Sequence, residues 1–112
     1  MSDTIFGKII RKEIPAEVVY ENPRVIAFRD VRPQAPTHIL VLPKSALKDP
    51  HSATTADQAL LGELIVAAGD IAKAEGLTES GYRLVINAGK FQEVPHLHVH
   101  LLGGRPMAWP PG

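Results

Sequence analysis

The sequence predicts an α+β domain, with an antiparallel sheet of about five strands covered by one long helix and one short helix. Three observations carry this prediction. Short runs of branched and apolar residues with a period of two recur along the chain, at 17–21, 25–30, 37–43, 82–87 and 96–102. One long segment, 55–75, repeats its apolar residues at i, i+3, i+4 instead. Pro-, Gly- and Asn-containing turns separate the runs, so the strands are short and locally connected. The 112 residues suffice for one core and one domain, 1–112, ending in a tail over about 103–112.

Taken in order, Ser2-Asp3-Thr4 offers helix N-cap residues, and Ile5, Phe6, Ile9 and Ile10 follow at helical spacing. A short helix is therefore expected over 4–11, its apolar face on the sheet, with Pro15 barring continuation. Glu17–Glu21 and Val25–Asp30 read as strands joined by a turn at Glu21-Asn22-Pro23-Arg24. Val25-Ile26-Ala27-Phe28 is nearly continuous apolar sequence, as in a buried strand, and Asp30 lies at its end. Pro33 and Pro36 stiffen an extended connection. Thr37–Pro43 is the third strand, with His38, Leu40 and Leu42 on one face and Ile39 and Val41 on the other. A lone histidine in such a strand is by default a satisfied core residue.

Lys44–Ser52 reads as a loop or a broken helical turn, with His51 at the surface. Thr55-Ala56-Asp57-Gln58 has the form of a capping box. Leu60, Leu61, Leu64, Ala68, Ile71 and Ala72 then mark the long helix over 55–75, stopped by Gly76. Tyr82–Asn87 reads as a strand and Ala88–Val94 as a polar loop.

Composition excludes several function classes. Lys+Arg and Asp+Glu balance at 12 each, so nothing points to a nucleic-acid or anionic-membrane partner. There is no cysteine, hence no disulfide framework or thiol chemistry. No stretch approaches the ~20 apolar residues of a membrane span, and the N-terminus lacks the apolar core of a signal peptide. A cytoplasmic location is the expectation.

Chemistry concentrates in Pro95-His96-Leu97-His98-Val99-His100-Leu101-Leu102-Gly103-Gly104. Strict alternation predicts a strand with His96, His98 and His100 on one face, neighbours roughly 6.6 Å apart, and Leu97, Val99 and Leu101 on the other. Gly103-Gly104 ends it. A solvated or purification-derived run would not be interleaved with core residues. A metal site is open, since two histidines at i, i+2 can share zinc. Three on a straight strand cannot reach one ion, and no acidic or cysteine ligand stands beside them in sequence. A neutral imidazole is also a competent nucleophile that a neighbouring imidazole can serve with a proton. The spacing favours this reading, with His98 as attacker, and leaves zinc binding by the histidines possible.

The run Pro95–Arg105 resembles the His-x-His-x-His signature of the histidine triad (HIT) family. Asp3–Ile10, Pro33–His38 and the closing Gly103-Gly104-Arg105-Pro106-Met107-Ala108-Trp109-Pro110-Pro111-Gly112 look like its Hint-like branch, the purine nucleoside phosphoramidases. Four blocks in register are far more specific than the histidine motif alone. The resemblance implies a HIT-like α+β fold, with the sheet continuous across a homodimer. It implies hydrolysis of the P–N bond of purine nucleoside phosphoramidates, and of related AMP and GMP conjugates such as acyl adenylates, through a nucleotidyl-histidine intermediate. No cofactor is required.

By the same resemblance, His98 is the nucleophile, His100 and His38 lie by the phosphate, and His96 orients His98 through its Nδ1 or the adjacent backbone. Asn87, Gln92 and the backbone at Val94 bind phosphate oxygens, and Asp30 accepts from the ribose hydroxyls. Ile5, Phe6, Ile9 and Phe28 sandwich the purine, and Trp109 reaches toward the partner subunit. The chain departs from the family pattern at Lys90-Phe91, Glu93, Pro95 and Ala108, which bears on the leaving group and phosphate loop but not on the nucleophile. Alternatives are a dinucleoside polyphosphate hydrolase of the same superfamily, against which the Trp109-Pro110-Pro111-Gly112 tail argues, and a nucleotide- or zinc-binding adaptor without turnover.

Overall fold

Strands β1 (Val18–Glu21), β2 (Val25–Arg29), β3 (Thr37–Pro43), β4 (Tyr82–Val85) and β5 (Val99–Gly103) form one open sheet in the order β1-β2-β3-β5-β4, every pairing antiparallel. This computed structural model describes residues 4–112; the cap candidates Ser2 and Asp3 lie outside the described residues. The predicted α+β class, strand number and helix complement are those observed. Among the described residues, no helix is long and apolar enough to cross a membrane.

The period-two pattern sorts the core into two layers. Val25, Ala27, Ile39, Val41, Leu97, Val99 and Leu101 face the long helix α2 (Gln58–Ala74), which buries Leu64, Ala67, Ala68, Ile71 and Ala72 against them. Ile26, Phe28, Leu40 and Leu42 face the other way, under Phe6 and Ile9 of the short helix α1 (Ile5–Ile10). Each helix therefore takes one face of the sheet. The triad histidines belong to the α1 face.

Helix ends follow cap chemistry. Thr4 Oγ1 accepts from the Gly7 N–H at 3.1 Å and starts α1. Its stop precedes Pro15: Lys12 adopts φ +65 and Glu13 N–H returns to Lys8 O at 2.9 Å, a six-to-one closure made here without glycine. Helix α2 ends as the sequence predicts, on Gly76 at φ +73, with Leu77 N–H returning to Ala72 O. Its start differs. The capping box is Thr54 with Asp57, one residue earlier than expected, and it caps a 3-10 turn (Thr55–Asp57) that precedes Gln58. Asp57 completes the reciprocal bond in place of the expected Gln58.

β1 and β2 are each one residue shorter than their sequence pattern, and two other strands are shorter by two. β4 ends at Val85 and not Asn87. β5 begins at Val99, so of the three histidines only His100 lies in the ladder. The pairing Val41↔Val99 would carry on to Pro43 opposite Leu97. Pro43 has no N–H to donate. Its carbonyl is taken by His96 Nε2 at 2.7 Å, and the Leu97 N–H goes to Leu47 O at 2.8 Å. Alternation survives without strand pairing, because Leu97 still enters the α2 layer and His98 the α1 layer.

Behind the site, Gly103 lies under Leu77, whose Cδ1 would stand 2.7 Å from an added Cβ. Gly104, at φ +89, would bring a Cβ within 2.9 Å of Pro36 Cβ. Gly104→Ala therefore meets both a left-handed backbone and a rigid ring, and is expected to cost on the order of 1–3 kcal/mol, read as a lower urea midpoint. An unchanged midpoint would mean that the tail does not hold its contact with the Pro33–Pro36 connection.

Candidate active site

His38, His98 and His100 come together where β3 and β5 run side by side. His38 pairs with Leu102 and His100 with Leu40, so the two histidines are diagonal neighbours on one face. Their rings meet edge on, with His38 Nε2 2.8 Å from His100 Nδ1. His98 adjoins His100 at a ring-centroid distance of 4.8 Å and sits under Phe6 at 4.9 Å in edge-to-face contact.

His98 is held by a main-chain group. Its Nδ1 lies 2.7 Å from the carbonyl oxygen of His96. A carbonyl only accepts, so Nδ1 carries the proton and donates it. Nε2 of the neutral ring is left with its lone pair, the form a nucleophile needs. His96 contributes that carbonyl; its own ring is turned into the core, 1% exposed, and donates from Nε2 to Pro43 O at 2.7 Å. Orientation of His98 by the backbone, one of the two routes the sequence left open, is the one realised. Among the described residues, two buried side-chain nitrogens have no partner, His96 Nδ1 and His100 Nε2.

All four histidines sit below the ordinary imidazole value of 6.5, chiefly because burial penalises the charged form. For His100, burial and the neighbouring His98 and His38 push it down to about 4. The His38–Asp30 approach, 3.5 Å from Nε2 to Oδ2, is thus a carboxylate beside a neutral ring: burial outweighs the pull of Asp30. Two pH effects follow. Activity that uses neutral imidazoles is expected to hold at pH 6.5 and to fall on an acid limb below it. Stability changes in the same direction: between pH 6.5 and about 4 the unfolded chain binds more protons than the native one, so stability falls as pH falls through that window. Urea midpoints at pH 7 and pH 5 check this, and equal values would contradict it.

The predicted binding residues are placed unevenly. Phe6, Ile9 and Phe28 are buried in the α1 layer with Val94 packed against them, and Phe6 and Phe28 meet edge on at 5.6 Å. Ile5 stands at the outer rim, 50% exposed. Asp30 directly follows β2; its N–H bonds His38 O at 2.9 Å, which sets its carboxylate beside His38. Asn87 is half-buried, two residues beyond Val85, the partner of His100. The Gln92 carboxamide differs from expectation, because its Nε2 donates to Lys48 O at 2.7 Å and so braces the loop. Trp109 is 82% exposed, with the Arg83 guanidinium of β4 5.8 Å from its ring centre.

An acidic ligand does stand beside the histidines, contrary to the sequence expectation: Asp30, His38 and His100 offer donor atoms within 4.8 Å of one another. The hydrogen bonding nevertheless does not suit a resident metal. The Gln34 N–H points at His38 Nδ1 at 3.0 Å, which puts the ring proton on Nε2, the atom that would bind. A metal there would move the proton to Nδ1, facing another N–H, whereas metal-bound histidines donate from their second nitrogen to an acceptor. The main-chain groups Gln34 N–H, Pro43 O and His96 O thus define the site, and residue type carries no signal for any of them.

Comparison with known proteins gives a consistent assignment. A family model described as the HIT domain matches residues 11–107. A HIT-like protein of Synechococcus elongatus is 62% identical over 112 residues, covering 98% of this chain and 97% of its own. A 14 kDa zinc-binding protein of Zea mays is 56% identical over 115 residues, covering 99% and 89%. The crystal structure of a HIT family hydrolase from Legionella pneumophila superposes with a TM-score of 0.96 at 50% identity, covering 98% of this chain and all of that one.

Proposed function

This chain belongs to the HIT domain family, and from that premise we propose that it is a hydrolase of purine nucleoside 5′-phosphoramidates and related AMP and GMP conjugates, of the Hint-like branch. The observation that carries the reading is the His98 ring, clamped at Nδ1 by the His96 carbonyl and bare at Nε2 beside His100. In the reaction, His98 Nε2 attacks phosphorus and forms an N–P bond. The P–N bond to the amine breaks, and the amine leaves with a proton taken from the site. Water then attacks phosphorus, the His98–P bond breaks, and the nucleoside monophosphate departs. The aromatic and aliphatic layer of Phe6, Ile9 and Phe28 supports binding of a flat base, and neutral imidazoles beside the nucleophile suit a charge that shifts during the reaction.

Asp30 is assigned to the ribose hydroxyls. Asp30→Ala is expected to weaken ribonucleotides about tenfold and 2′-deoxy analogues less; equal losses in titrations of the two would remove Asp30 from the sugar. We also assign a homodimer with the sheet continued across β4. Support comes from the open edge of this four-residue strand, the exposed Tyr82 on it and Ile86 just beyond it, and the exposed Ile65 and Val66 of α2. Trp109, tethered to β4 through Arg83, then stands at the partner's boundary.

The maize relative's name and the spacing of the Asp30–His38–His100 donor atoms suggest a second reading, a zinc-binding adaptor, which the Gln34 N–H at His38 Nδ1 opposes. One experiment separates the two: a mass spectrum of protein quenched during turnover of adenosine 5′-phosphoramidate in excess EDTA. An adenylate adduct on His98 is the expected result. Absence of amine release with or without EDTA, in protein that retains stoichiometric zinc through dialysis, would favour the adaptor and rule out the hydrolase.

A further inference from the structure

The hydrogen bonds around His38 and His100 form a one-way series, and its direction is set by a main-chain group. The Gln34 N–H lies 3.0 Å from His38 Nδ1. An amide N–H only donates, so Nδ1 holds a lone pair and the single proton of the neutral ring sits on Nε2. That nitrogen is 2.8 Å from His100 Nδ1, with Asp30 Oδ2 further off at 3.5 Å. His100 Nδ1 therefore accepts, and the His100 proton sits on Nε2. This is the buried nitrogen that finds no partner.

His98 is set the opposite way, since the His96 carbonyl makes Nδ1 the donor and leaves Nε2 bare. Two backbone groups of opposite polarity thus hold two touching imidazoles in opposite tautomers, one a lone-pair nucleophile and the other an N–H donor. Gln34 is suited to hold that polarity. Its side chain donates to Arg32 O at 3.0 Å, its carbonyl accepts from Arg105 Nε at 2.8 Å, and Pro33 and Pro36 stiffen the connection around it.

We propose that the Gln34 main-chain N–H is a positioning group that presets His100, through His38, as the Nε2–H donor to the phosphoryl oxygen or the departing nitrogen. Its catalytic consequence rests on the hydrolase reading above. With the opposite tautomer, His100 would present a lone pair to an anionic phosphate, and the donor would be lost.

The test begins with the wild-type protein. Long-range ¹H–¹⁵N spectra of its histidine rings are expected to show Nε2–H for His38 and His100 and Nδ1–H for His98. A proton on Nδ1 of His100 would overturn the proposal whatever the activity. Gln34→Pro then removes the amide hydrogen. Mixed His38 and His100 tautomers are expected, with kcat for adenosine 5′-phosphoramidate down tenfold or more and KM within about threefold. Mixed tautomers with unchanged kcat would overturn the positioning role. If that variant does not fold, His38→Gln and His38→Leu replace it. A carboxamide can accept from Gln34 and donate to His100, so His38→Gln is expected to retain at least tenfold more kcat than His38→Leu, and equal losses would overturn the role. Wild-type protein without turnover would count against the hydrolase reading alone, because the spectra still decide the tautomers.

Discussion

His98→Ala is expected to lower kcat for an adenosine phosphoramidate by at least about 10³-fold while leaving AMP affinity within a few-fold. The ring lost is the one whose Nε2 is bare and whose Nδ1 is held by the His96 carbonyl. The apolar layer of Phe6, Ile9 and Phe28, proposed to hold the base, remains. His100 cannot substitute, since its Nδ1 is engaged by His38. Steady-state kinetics with an AMP titration on the same protein check this. A loss under about tenfold would place the nucleophile elsewhere.

His96→Ala is expected to show the reverse pattern. Its imidazole is a core residue that donates to the Pro43 carbonyl and packs near Phe6, with ring centroids 6.4 Å apart. Removing it leaves that carbonyl without its donor and opens a cavity, at an expected cost of about 2–4 kcal/mol. Turnover by the folded protein is expected to stay within about tenfold of wild type, because the group that orients His98 is the main-chain carbonyl of residue 96, which alanine retains. Urea unfolding and kcat measured together distinguish this from catalysis by the His96 ring. A stably folded variant as inactive as His98→Ala would assign the ring a direct chemical role.

These two histidines show how differently members of one motif can act. In the sequence His96, His98 and His100 are equivalent positions of one alternating run. In the structure His96 is a buried brace, His98 a clamped ring with a bare nitrogen, and His100 part of a paired system with His38. The run is also not one strand. Its first half is held by the Pro43 carbonyl and by Leu47, and only Val99–Gly103 joins the ladder. The alternation predicted the faces correctly because side-chain burial follows the period of the backbone, whether or not the backbone is paired.

The amino-acid sequence by itself determined the α+β class, the five strands, the apolar layers and the place of His98 in the middle of the triad. Each depends on side-chain hydrophobicity at a local period, which is legible over a few residues. It also placed His38 on the face of Leu40 and Leu42 and ended α2 at Gly76. Only the tertiary structure decided that each helix takes its own face of the sheet, that Asp30 stands beside His38, that Gln92 braces a loop, and which nitrogen of each imidazole is free. Some of those outcomes depend on partners brought from far along the chain, Pro43 to His96 across 53 positions and His38 to His100 across 62, and others on main-chain groups close in sequence, His96 to His98 and Gln34 to His38. The decisive partners at Gln34, Pro43 and His96 are backbone amides and carbonyls. Nearly every residue carries both groups, so their role comes from where the fold puts them and not from which residue bears them.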